Sequence, residues 1–237
     1  MTEKISVAGF DISAYENVTQ AAEIIISKHL NVGHMAIAVN PEKIVRAMKD
    51  TELAATMRSA EVLYPDGIGV VKAMRKKSGL NINRVPGCEL WEQLMWLSAK
   101  RHIPVFILGA SAQVNRATCD KLKQMGCDVV GAQDGYFDDE AKVIAAIRDS
   151  GAKIVSVAMG SPRQEKFIQR CKAAGLTAFF MGVGGTYDVF TGNVKRAPVL
   201  FRKLGLEWFY RLACQPSRLF RQRSLVEFML LYYKGSL

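Results

Sequence analysis

The sequence predicts an α/β fold: a Rossmann-like, mostly parallel sheet flanked by helices, followed by a basic helical C-terminal appendage. Three observations carry this. Short apolar runs alternate with segments of helical period along most of the 237 residues, the pattern of a parallel sheet wrapped by helices. Glycine and polar residues collect where those runs end, which is where ligands bind in open parallel sheets. After Pro198 no further strand is visible, and the remaining chain is helical in pattern and strongly basic. The sequence therefore divides into an α/β domain over 1–194 and a helical appendage over 195–237.

The elements follow in order. Residues 5–10 make the first apolar run and 19–29 the first helix. The run 35–39 ends at Asn40, and Pro41 behind it reads as a proline in the first turn after a helix cap, opening a helix over 41–48. A helix over 53–59 precedes the strand 62–64, which stops at Pro65-Asp66-Gly67-Ile68-Gly69, read as a loop. A helix over 87–100 leads to the strand 105–108, ending at Gly109, and a helix over 112–125 follows. Next come a strand over 128–131 and a helix over 140–149, whose entry Asp138-Asp139-Glu140 sets acids against the positive end of the helix dipole. The strand 154–158 leads into Gly160-Ser161-Pro162, again a cap followed by proline, and a helix over 163–173. The last strand, 178–183, opens into Gly184-Gly185-Thr186-Tyr187-Asp188. Five strand-end loops then face one cleft.

Composition narrows the class. At 49% apolar and 23% charged, the chain is neither a disulfide miniprotein nor disordered. Its net charge of +10 and pI near 9.4 call for an anionic partner: phosphate, nucleic acid or an acidic membrane. The five cysteines are scattered and never form C-x-x-C, which fits a reducing compartment with neither zinc nor disulfides. The opening MTEKISVAGF has no signal-peptide pattern. No run reaches the roughly 18 apolar residues of a membrane span. A cytoplasmic location is expected.

The basic character is local. Residues 195–237 hold nine Lys or Arg and two acids, so +7 of the +10 sits there, interleaved with Phe201, Trp208, Phe209, Tyr210, Phe220, Phe228, Tyr232 and Tyr233. Pro216 divides this stretch into two helices, the second with an apolar stripe of Leu225, Phe228, Met229 and Tyr232. That stripe serves packing on the core, contact with a membrane or contact with a second subunit equally well, which leaves a homo-oligomer open.

Among the loops, Asp66 stands out. A strand-end aspartate followed by Gly67 and Gly69 presents its oxygens where the backbone lets a ligand approach closely. The same pattern also fits an aspartate that only shapes a turn or caps a helix. Gly182-Val183-Gly184-Gly185 offers backbone N–H groups to phosphate, but lacks the third glycine of G-x-G-x-x-G, which disfavours a nicotinamide dehydrogenase. There is no Walker A sequence. His29, His34 and His102 lack metal-ligand spacing, and no D-x-D occurs to hold a divalent ion. If a diphosphate leaves during the reaction, basic side chains or backbone donors must carry its charge.

Five ordered motifs resemble the WecG/TagA/CpsF glycosyltransferase family: Asp66-Gly67-Ile68-Gly69-Val70-Val71, Arg84-Val85-Pro86-Gly87, Gly160-Ser161-Pro162-Arg163-Gln164-Glu165, the run from Gly182 to Gly192, and Val194-Lys195-Arg196-Ala197-Pro198. The match covers essentially the whole chain from Ile5. Gln133-Asp134-Gly135-Tyr136-Phe137, Gly205-Leu206-Glu207-Trp208 and Gln215-Pro216-Ser217-Arg218 look closest to members that act in enterobacterial common antigen synthesis.

The resemblance implies an inverting, metal-independent enzyme with no cofactor. It would move N-acetyl-D-mannosaminuronate from its UDP-sugar to undecaprenyl-diphosphate-linked GlcNAc, working peripherally on the inner face of the cytoplasmic membrane. By the same resemblance Asp66 is the general base, and Asn40 and Arg84 are active-site positions. Gln164 and Asp188 match positions near the nucleotide; Gly184 and Gly185 are substrate-binding candidates through the backbone N–H groups already noted. Arg211, Arg218 and Arg221 belong to an appendage that closes over the site at an anionic membrane. Ala38 stands where the family often carries Thr, so no role transfers to it. A uronate donor needs a cation, for which Lys72, Arg75, Lys76, Lys77 and Arg84 all qualify. Relatives using N-acetylmannosamine or glucose donors for teichoic acid or exopolysaccharide remain alternatives. So does a basic nucleic-acid-binding α/β protein, although no nucleic-acid motif is present and the charge is confined to the tail. An S-adenosylmethionine- or NAD-dependent enzyme is a further competitor.

Overall fold

The computed structural model describes residues 2–194, 198 and 222–237. The chain runs β1 (Lys4–Val7), β2 (Phe10–Ser13), α1 (Val18–Lys28), β3 (Met35–Val39), α2 (Pro41–Ala47), α3 (Thr51–Arg58), β4 (Val62–Pro65) and α4 (Ile68–Ser78). It continues through α5 (Gly87–Arg101), β5 (Val105–Gly109), α6 (Ala112–Gln124), β6 (Val129–Gln133), α7 (Glu140–Asp149), β7 (Ile154–Ala158), α8 (Arg163–Ala173), β8 (Phe179–Gly182) and α9 (Thr186–Phe190), with α10 (Gln222–Lys234) at the C-terminus.

Six strands form one parallel sheet in the order β4-β3-β8-β7-β5-β6. β5 and β7 are buried at every position, because helices cover both faces of a parallel sheet and leave no polar side to alternate with. The first hairpin, α2, α3, α4, α7, α8 and α10 contribute to the core on one face. α1, α5, α6 and α9 cover the other. All six strands point their carboxyl ends to one edge, which brings the loops after β3, β4, β7 and β8 together.

Four expectations need correction. Residues 5–10 are not one strand of the main sheet. Ala8 (φ 51°) and Gly9 (φ 77°) both adopt left-handed backbone, the signature of a two-residue hairpin turn, so β1 and β2 pair antiparallel with Val7 opposite Phe10. The segment beginning at Ile68 is a helix, α4, whose buried side is Val70, Val71, Ala73 and Met74. Ser161 does not cap α8: that helix starts at Arg163, Pro162 occupies the cap position, and no side chain bonds the first turn. The stripe on α10 is also rotated from expectation. Phe228 is buried, Tyr232 is partly buried with Leu231 beside it, and Met229 turns outward.

Other local signals hold. Asn40 caps α2 with Pro41 in its first turn, its Oδ1 accepting from Lys43 N at 2.8 Å, and Asp139 caps α7. Pro216 lies outside the described residues, and among the described helices none is long and apolar enough to cross a membrane.

Candidate functional site

The carboxyl ends of β3 and β4 bring Asn40 and Asp66 side by side. Asp66 N and Gly67 N both donate to Val39 O, at 2.9 and 3.3 Å, so the turn after β4 is pinned to the last residue of β3. The approach is close enough that a Cβ at Gly67 would stand 2.5 Å from Pro41 Cδ and 3.1 Å from Asn40 Cα. Glycine is needed there for space; its φ of −98° is ordinary.

The stretch between α4 and α5 supplies the third residue. Val85 N donates to Pro65 O at 2.8 Å, extending the end of β4 and placing Arg84 over the Asp66 turn. Arg84 Nη2 lies 3.3 Å from Asp66 Oδ1, and Arg84 Nε donates to the backbone carbonyl of Asp66. One guanidinium thus holds both the carboxylate and the peptide that carries it. Both side chains keep access to solvent, at 22% and 26% exposure. Beneath them, burial first and the Asp66 carboxylate second push the Tyr64 hydroxyl well above the ordinary tyrosine range. That keeps it neutral.

A second group forms at β7 and β8. Gln164 is buried in the first turn of α8, and its Oε1 accepts from Gly184 N at 3.0 Å. Gly182 makes room for this amide: a Cβ there would stand 2.5 Å from Gln164 Nε2. Gly184 has a left-handed φ of 54°, which lets the chain turn from β8 into α9 with Gly185 at its start. Next to Gln164, Glu165 is 2% exposed and paired at 2.9 Å with Lys43 Nζ of α2.

The predicted residues therefore fall into two contacting groups, Asn40–Asp66–Arg84 and Gln164–Gly184. Asp188 sits on α9, where its Oδ1 accepts from Asn193 Nδ2 at 2.9 Å and its carbonyl from Val194 N, and among the described residues it bonds neither group. Arg211, Arg218 and Arg221 lie outside the described residues. Of the five cations that could meet a uronate, three are engaged elsewhere. Arg75 bonds Ile82 O and Asn83 Oδ1, Lys76 lies over the Tyr232 ring, and Lys77 bonds Ser6 O. Arg84 alone of the five is bonded to Asp66. Sequence patterns do not mark Lys43 as part of this region, nor give Glu165 a role although it closes the Gly160–Glu165 motif.

A partly exposed carboxylate fixed by a guanidinium beside an amide side chain suits proton removal from a hydroxyl, and the glycine loop after β8 is a place for a phosphate-bearing leaving group. The family model described as "Glycosyl transferase WecG/TagA/CpsF family" matches residues 5–237. It spans both groups and α10. This chain belongs to the WecG/TagA/CpsF glycosyltransferase family.

Proposed function

We propose that this glycosyltransferase is an inverting enzyme that transfers N-acetyl-D-mannosaminuronate from its UDP-sugar to undecaprenyl-diphosphate-linked GlcNAc. The observation that carries the mechanism is the Arg84-held carboxylate of Asp66 beside Asn40. In this reading an acceptor hydroxyl gives its proton to Asp66 while its oxygen attacks the anomeric carbon from the side opposite UDP. The bond between that carbon and the diphosphate oxygen breaks, UDP departs with the electron pair, and the sugar inverts. Asn40 has its Oδ1 committed to the cap of α2, so its amide N–H groups are what it offers to substrate. Arg84 and the backbone N–H of Gly185 meet the negative charge of the donor.

The choice of donor rests on the Gln133–Phe137 and tail motifs, and on Arg84 as the cation bonded at the base. The acceptor is a lipid, and the basic tail supports a peripheral position on an anionic membrane, where each cation contributes on the order of 1 kcal/mol. α10 adds an outward face of Val226, Met229, Leu230 and Tyr233. Residues 1–194 would form the catalytic domain and 195–237 the membrane-associating appendage.

The test is incubation with UDP-N-acetylmannosaminuronate, UDP-N-acetylmannosamine and UDP-glucose, each with a short-chain GlcNAc-diphosphate-lipid, reading product by mass. Product from the uronate donor alone is expected. Product from another donor moves the assignment within the family, and no product from any UDP-sugar overturns it.

A further inference from the structure

A buried ion pair joins the two groups of the site. Lys43 Nζ and Glu165 Oε1 are 2.9 Å apart across 122 positions of sequence, with side chains 14% and 2% exposed. Each partner is also tied to a predicted site residue. The backbone N–H of Lys43 is the group that fixes Asn40 Oδ1, at 2.8 Å. Glu165 Oε1 faces Gln164 Nε2 at 3.4 Å, and Gln164 Oε1 in turn accepts from Gly184 N at 3.0 Å. A continuous polar chain, Asn40–Lys43–Glu165–Gln164–Gly184, therefore crosses the carboxyl ends of β3, β7 and β8, which are neighbours in the sheet. Lys43–Glu165 is its one link between α2 and α8.

The pair is an expensive way to join two helices. A carboxylate taken out of water loses its hydration, and here Oε2 of Glu165 is buried with no hydrogen-bond partner among the described residues. A hydrophobic contact of similar size generally holds helices together at least as well. What an ion pair with shared hydrogen bonds adds is direction: it sets where each side chain on either side of it points.

We propose that Lys43 and Glu165 are positioning residues of the transfer reaction. They hold the Asn40 amide, beside the base, and the Gln164 amide, beside the glycine loop, at one fixed separation, so that a nucleotide-sugar meets both at once. Glu165 is too deeply buried to touch substrate, and it acts through Gln164 and Lys43. This rests on the reading of the site given under Proposed function.

The test measures UDP binding by calorimetry, sugar transfer by mass, and thermal melting for K43M, E165Q, the double variant K43M/E165Q and K43R, with D66N alongside. The singles leave a buried group without its partner and are expected to melt lower. The double variant has no unpaired buried charge, and it is expected to fold with a melting temperature near that of the wild type. It should nonetheless lose about tenfold or more in kcat/KM, the scale of a small misplacement of binding groups, with weaker UDP binding. K43R keeps the charge and should recover much of the loss. A double variant that folds, binds UDP and turns over like the wild type overturns the proposal. So does loss of activity that K43R does not relieve while its melting is normal. The underlying reading fails separately: wild-type protein that neither binds UDP nor transfers sugar, or a D66N variant with full turnover, sinks that reading whatever the pair variants do.

Discussion

Arg84 grips Asp66 twice, with Nη2 at 3.3 Å from the carboxylate Oδ1 and Nε bonded to the carbonyl of the same residue. The first contact orients the carboxylate and the second fixes the peptide beneath it, so the base cannot turn without breaking one of them. D66N removes the proton acceptor while keeping shape, and should lower kcat by about 10²–10⁴-fold, the span of general-base catalysis. R84K tests the grip itself. A lysine has one nitrogen and no planar fork, so it cannot make both contacts. Transfer should fall with R84K while melting temperature changes little, read by product mass and by calorimetric melting. Full activity in R84K would remove the orienting role.

The closeness of the Asp66 turn to α2 makes Gly67 a second sensitive point. In G67A the new methyl would meet Pro41 Cδ at 2.5 Å and Asn40 Cα at 3.1 Å, part of it unyielding backbone. Forcing a methyl into such a contact costs about 1–3 kcal/mol, and it pushes Asn40 away from Asp66. Lower melting and lower turnover are expected together. G185A is the comparison for stability: φ there is −81° and nothing lies within 4 Å of the added carbon, so its melting should match the wild type. Equal melting of G67A and wild type would show that the turn is looser than its contacts imply.

The difference between what sequence exposed and what it concealed has physical causes. Strands such as β5 and β7 were legible because burial on both faces makes them continuous apolar runs. The loops holding Asn40 and Asp66 were legible because polar and glycine residues interrupt those runs at one end. α4 was not, since Gly67 and Gly69 mimic a loop and Lys72, Arg75, Lys76 and Lys77 dilute its apolar side. The first hairpin was hidden in the same way, as the turn Ala8-Gly9 lies inside an apolar run. The Lys43–Glu165 pair was out of reach, because nothing local in either segment marks a partner 122 residues distant.

A titratable pair at the opposite end of β3 predicts how stability depends on pH. His29 and His34 face each other through Nδ1 at 2.8 Å, a contact that needs one proton and excludes two. Burial first, then the His34 charge with smaller help from Lys4 and Lys28, lowers the His29 pKa, and Glu61 opposes only in part. A base with a lowered native pKa binds fewer protons folded than unfolded, so stability rises with pH across that window. It is full above the unfolded value of about 6.5 and is lost as pH falls through the native one. Glu61 adds a second loss further down. Burial works against its charged form, but hydrogen bonds from Lys172 and Met35 N outweigh this and lower its pKa. Its contribution therefore disappears only below the ordinary glutamate range, about pH 4.3. H29Q should flatten the melting temperature between about pH 7.5 and pH 5, and leave the steeper acid limb in place. Parallel curves for the variant and wild type would show that His29 carries none of this dependence.

What holds α10 against the domain can be decided by magnitude. Phe228 is 1% exposed, and its ring edge lies where a Cβ on Gly69 would come within 3.2 Å of Cε1, over the start of α4. Removing a buried phenylalanine ring costs about 3–5 kcal/mol. Leu231, Tyr232 and Leu237 add apolar contacts to the same core, and the charged ties are weaker. Lys49–Glu227 is an exposed ion pair at 2.6 Å, a kind worth about 0–1 kcal/mol, and Lys76 lies 4.9 Å from the Tyr232 ring centre in a contact open to water. F228A should therefore release α10 while K49A does not. Hydrogen exchange reads this directly: amides of 223–234 lose protection in F228A, and those of β5 and β7 keep theirs. Because Gly69 and Pro41 flank Asp66 and Asn40, loss of the ring also unpacks the back of the base turn, and sugar transfer should fall with the exchange protection. If α10 stays protected in F228A, the ion pair and the tail, and not the ring, anchor the helix beside the site.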